Sequence, residues 1–63
     1  MGKVDLKLLG NYEIEIARFG YLHLIWITSL FGYNNFEIRS WNGKIFESVD
    51  PQIAINKFNE LIQ

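Results

Sequence analysis

The chain has 63 residues, 49% of them hydrophobic, a formal net charge of -1 and no cysteine, which fits one globular domain and excludes a disordered tail, a disulfide scaffold and a thiolate metal site. Its six Lys and Arg are scattered among seven Asp and Glu, unlike the clustered cations with which a general nucleic-acid or anionic-membrane binder displaces counterions. At about 1.5 kcal/mol of ordering entropy per residue, so small a domain needs an unusually good core or burial against another chain.

The opening "MGKVDLKLLG" carries charges where a signal peptide is apolar, and Leu6 where a myristoylation signal has Ser or Thr. Neither export nor a lipid anchor is expected, and the expected location is cytoplasmic. Turn-forming pairs then divide the sequence. Gly10-Asn11 follows "VDLKLL", Phe19-Gly20 follows "YEIEIAR", "FGYNN" follows "YLHLIWITS", and Asn42-Gly43 separates "FEIRSW" from "KIFESV". Loops this short join antiparallel strands, because parallel strands need long crossovers. The apolar run from Tyr21 to Phe31 is about half of the roughly 20 residues that a membrane-spanning helix requires, and it contains His23, Thr28 and Ser29, so it reads as a buried strand.

In "DPQIAINKFNELIQ" the period changes. Asp50 suits the N-cap and Pro51 the first helical position, where its missing N–H costs nothing. Ala54, Ile55, Phe58, Leu61 and Ile62 recur at helical spacing between polar residues, which predicts an amphipathic helix of about three turns. The expected fold is α+β, a single domain over residues 1–63: an antiparallel meander of four to five strands with one C-terminal helix packed on one face.

Alternation assigns the faces. Tyr12, Ile14 and Ile16 are expected under the helix, with Glu13, Glu15 and Ala17 turned away. A two-residue Phe19-Gly20 loop sets Arg18 opposite Tyr21, Ile14 opposite Ile25 and Tyr12 opposite Ile27, so the helix covers Tyr21, His23, Ile25 and Ile27. At the Asn42-Gly43 turn an even loop would mix charge with core; an odd loop with Gly43 in the left-handed region groups Phe36, Ile38 and Phe46 inside and Glu37, Arg39 and Glu47 outside. Leu22, Leu24 and Trp26 are then left on an uncovered outer face, joined by Ile45, Val49 and Trp41, the last also placed in the turn itself; the other reading is a core strand in a more curled sheet, with the N-terminal "VDLKLLG" folded over it. An apolar patch of that kind is seldom left exposed on a monomer, and aromatic anchors ringed by charge, here Glu13 and Glu15, are typical of interface hot spots.

No chemical motif stands out. His23 is the only imidazole, and a nucleophilic triad around it would need a serine, a carboxylate and a pocket that so small a sheet hardly forms. Glu13 and Glu15 share a strand face and suit a divalent cation or paired acids, but no Asp or His completes a ligand set. No catalytic residue, cofactor or metal is expected. Arg39, Trp41 and Lys44 form the best nucleic-acid candidate, an aromatic with two cations at a hairpin tip. "RSWNGKI" followed by "AINKF" resembles, over barely twenty residues, the WGR domain of some DNA-break-sensing polymerases, with the central Trp-Gly-Arg altered to Trp41-Asn42-Gly43-Lys44; the hairpin accounts for Asn-Gly without it.

The functional expectation is a non-enzymatic protein–protein interaction module, an inhibitor or adaptor. It is expected to self-associate as a homodimer through Leu22, Leu24, Trp26, Trp41 and Ile45, with Glu13 and Glu15 at the rim, or to dock an unidentified protein there. Size and the Asn, Ile, Lys and Phe usage suit a phage-encoded inhibitor of a host or defence enzyme. The alternative is a small nucleic-acid-binding module using the Trp41–Lys44 hairpin.

Overall fold

The computed structural model describes residues 10–63. Strands β1 (Asn11–Phe19), β2 (Leu22–Ser29), β3 (Asn34–Ser40) and β4 (Gly43–Ser48) precede helix α1 (Pro51–Ile62). The strands form one antiparallel sheet in the order β1-β2-β3-β4, and α1 packs on one face, across β3 and β4 and onto β2. This is the expected α+β meander with its C-terminal helix. The fifth strand expected over residues 4–9 lies outside the described residues.

The helix begins where the capping chemistry places it. The Asp50 carboxylate accepts hydrogen bonds from the N–H groups of Gln52 and Ile53 at 2.8 and 3.3 Å, satisfying two donors that have no partner within the helix. Pro51 occupies the first turn. Ala54 and Phe58 are buried against the sheet and Ile62 packs beside them, whereas Ile55 and Leu61 remain exposed.

Turns and bulges together decide which residues the helix covers. Phe19 pairs with Leu22, so the β1–β2 loop is Gly20-Tyr21. Gly20 has φ +63°, and among the described residues no non-glycine has positive φ. A two-residue hairpin loop with positive φ at its first central position only is a type II′ turn, whose handedness matches the strand twist. The expected Phe19-Gly20 loop would instead have forced Phe19 into positive φ or splayed the strands. The true loop is displaced by one residue at both strand ends, which sets Arg18 opposite His23 instead of Tyr21 and leaves even-numbered β1 residues facing odd-numbered β2 residues, so the displacement by itself reverses no face. The reversal comes from a bulge: Glu15 pairs with Ile25 and Ala17 with Leu24, leaving Ile16 as the extra residue, so Ile14 shares a face with Trp26 instead of Ile25 and Ala17 joins the helix side.

Leu22, Leu24 and Trp26 therefore lie on the helix side of the sheet. Leu22 and Leu24 are 8% and 2% exposed and form the core with Ile38, Ala54 and Phe58, bordered by Ala17, Phe36, Phe46 and Ile62. Trp26 is half-buried, its ring stacked on Phe36 with centroids 6.2 Å apart, and its Nε1 donates to Asn34 Oδ1 at 2.9 Å. The expectation that these three residues form an uncovered outer face is overturned, and so is the placing of His23, Ile25 and Ile27 beneath the helix. Tyr21, expected there too, sits exposed in the turn.

The faces of β3 and β4 are as expected, but the odd-length loop is not found: the loop is the two residues Trp41-Asn42, and a bulge beyond it restores the grouping. Ile38 pairs with Phe46, and Glu37 with Glu47 on the far side. Ser40 pairs with Gly43 at φ +114°, and Ile45 is the extra residue between Lys44, opposite Arg39, and Phe46. The bulge supplies the odd residue that keeps Phe46 under the helix. Trp41 occupies the turn.

Candidate interaction surface

The face opposite the helix is closed by ion pairs. Arg39 on β3 reaches across β2 and donates from both terminal nitrogens to the two carboxylate oxygens of Glu13 on β1, each at 2.9 Å, while its Nε donates to Glu37 at 2.9 Å. A guanidinium held on three sides this way is fixed in orientation, and its methylene stem is available to cover apolar surface. His23 Nδ1 lies 2.6 Å from Glu15 Oε1, which also accepts from Arg18 at 3.2 Å. Lys44 donates to one oxygen of Glu47 at 3.0 Å and the buried amide of Asn35 to the other at 2.9 Å. Ile27 is buried on this side and Ile25 half-buried. Two aliphatic side chains and a lattice of charge occupy the place where the sequence suggested a bare apolar face.

The electrostatics follow from these contacts. Hydrogen bonding and charge from Arg39 hold the Glu13 carboxyl below the ordinary 4.5. Glu15 is lowered by His23 first and Arg18 second, and Glu47 by Lys44 first and Asn35 second. In return Arg39 is raised by Glu13 and then Glu37, and Lys44 by Glu47. All three carboxylates are ionised at neutral pH, and the cations beside them are engaged rather than displayed.

This bears on the nucleic-acid candidate. Trp41 is 77% exposed at the hairpin tip, in reach of a base. Arg39, however, is bound to Glu13 and Glu37, and Lys44 to Glu47, so a phosphate would have to compete with carboxylates already in place.

Apolar surface is left open along β1, on the helix side. The helix lies over β2, β3 and β4, so Ile14, which pairs with Trp26, is 45% exposed, and the bulged Ile16 is similarly open. Tyr12 is partly exposed beside them. Strand β1 is also an edge of the sheet, paired with β2 alone among the described residues. A second apolar group, Leu30, Phe31 and Tyr33, projects from the β2–β3 loop at one end.

The expected interface residues are thus dispersed. Leu22 and Leu24 are core, Trp26 is a partly covered stack, Trp41 and Ile45 lie at the β3–β4 turn and its bulge, Val49 is exposed in the link to the helix, and Glu13 and Glu15 are ion-paired on the opposite face. The β1 flank was not singled out from the sequence. The signal for it was present: a single helix of three turns is too narrow for a four-stranded sheet, and the strand farthest from it must keep its apolar side chains in solvent.

Among the described residues no group of three or more His, Asp or Glu side chains is placed to share a cation, and no helix is long and apolar enough to cross a membrane. Comparison of the chain with protein-family models, curated proteins and solved structures gave no significant match.

Proposed function

We propose that this chain is a non-enzymatic protein-interaction module that docks a partner along the β1 side of its sheet. The observation that supports it is a coincidence on one strand: β1 bears the exposed Ile14 and Ile16 and is an edge with one described neighbour. Backbone groups at an edge give affinity, and adjacent apolar side chains give area and selectivity. The self-associating surface suggested by the sequence is not retained, because Leu22 and Leu24 are spent on the core. An inhibitor or adaptor remains the favoured role for so small a chain, and a phage-encoded blocker of a host or defence enzyme in the cytoplasm its specific form. These last steps rest on size and residue usage alone.

The test is a comparison of proteins captured by the immobilised wild type and by the double variant Ile14→Lys, Ile16→Lys. Both positions are solvent-facing, so the variant is expected to keep its circular dichroism spectrum and to lose the captured species. A variant that captures the same set, or a wild type that captures nothing, would overturn the proposal.

A further inference from the structure

The register fixes which backbone groups of β1 are on offer. Ser29 donates its N–H to Tyr33 O at 3.1 Å, on the β3 side. Because hydrogen-bonding direction alternates along a strand, the odd-numbered residues of β2 turn their N–H and C=O toward β3 and the even-numbered ones toward β1. Trp26 and Thr28 therefore bond to their β1 partners Ile14 and Tyr12, and Asn11, Glu13 and Glu15 direct their N–H and C=O away from the sheet. At this edge the two faces differ: Glu13 and Glu15 stand on one, Ile14 on the other.

That pattern discriminates between occupants. A second copy pairing with β1 about a two-fold axis centred on Glu13, Ile14 or Glu15 sets glutamate directly opposite glutamate, which is unfavourable in an antiparallel pair. The side chains of Glu13 and Glu15 are 53% and 42% exposed, and Glu15 Oε2 has no hydrogen bond among the described residues. Each Glu13 oxygen accepts one bond from Arg39 and Glu15 Oε2 accepts none among the described residues, so both carboxylates keep acceptor capacity for a Lys or Arg opposite them, while aliphatic residues opposite Ile14 meet its exposed side chain. Resting on the interaction reading above, we infer that β1 accepts an extended segment of another protein in which basic and aliphatic residues alternate, added as a further antiparallel strand.

The probe is a short capped peptide alternating lysine with isoleucine or valine. Controls carry glutamate in place of lysine, or N-methyl groups on the backbone edge facing β1. Amide hydrogen exchange on the full chain is the readout. The basic peptide is expected to slow exchange at Asn11, Glu13 and Glu15 by about tenfold when present at ten times its Kd, with neither control doing so. No slowing, or equal slowing by the glutamate peptide, would overturn the inference. So would protection without peptide: if it rises with protein concentration the occupant is a second copy, and if it does not, the edge is filled within the chain. Should the peptide fail while Ile14→Lys, Ile16→Lys still abolishes protein capture, the interaction module stands and only the edge-pairing partner is lost.

Discussion

The two faces of the sheet are covered by different means. On one, Leu22, Leu24 and Ile38 meet Ala54 and Phe58, and the contact is apolar. On the other, Arg39, His23 and Lys44 are tied to Glu13, Glu15, Glu37 and Glu47. The first arrangement draws on the hydrophobic effect, about 1.5–3 kcal/mol for each large side chain fully buried. The second draws on partly exposed ion pairs, whose contribution solvent screening keeps small. A chain with one helix to spend thus places it where burial returns most, and uses charge where a second layer is lacking. The consequence is an uneven surface: the helix-bearing face runs out of cover at β1.

Substitutions on the two faces should separate accordingly. The largest loss is expected for Ile38→Ala, at the one large side chain fully enclosed among the described residues; denaturant unfolding should show a loss of about 2–5 kcal/mol, enough to unfold much of so small a domain. Asp50→Ala removes the acceptor for two helix N–H groups, with an expected cost of about 0.5–2 kcal/mol and a lower midpoint in the same assay. For Gly20→Ala the space is open and only the positive φ is penalised, by roughly 1 kcal/mol. Arg39→Met keeps the stem and removes the charge, and about 1 kcal/mol or less should be lost.

Acid should sharpen the contrast. Glu13, Glu15 and Glu47 have folded values below the ordinary 4.5, so they favour folding fully above 4.5, and this contribution is lost as pH falls from there through the lowered folded values. Thermal midpoints measured from neutral pH to about pH 3 should decline below 4.5 in the wild type. The decline should be shallower in Arg39→Met, where Glu13 no longer has its partner. An equal decline in both would mean that the ion pairs across the sheet contribute nothing.

How far the sequence reaches is clearest at the two hairpins. At Asn42-Gly43 the alternation on both flanks is unequal in polarity, so a wrong register would bury charge, and only the bulged pairing keeps Ile38 and Phe46 together. The helix was equally legible, since Asp50-Pro51 and the spacing of Ala54, Phe58 and Ile62 agree. At Phe19-Gly20-Tyr21 the flanking strand is apolar at odd and even positions alike, so alternation did not choose between registers. Gly20 fixes the turn, because type II′ demands glycine first, but the face of β2 relative to Ile14 is set by the bulge at Ile16. The bulge at Ile16 had no signal of its own, and the crossing of Arg39 to Glu13 depends on a neighbour two strands away, which local pattern does not report. With the β2 face reversed, the apolar surface in need of a partner moved from Leu22, Leu24 and Trp26 to the flank of β1.

The face of β2 can be read directly by proton–proton contacts to the Phe58 ring in solution. Cross-peaks from Phe58 to the methyl groups of Leu24 and Ile38, with none to Ile25 or Ile27, are the predicted result. Cross-peaks from Phe58 to Ile25 and Ile27 instead would mean that the helix covers the charged side, and the surface assigned to β1 would fall with it.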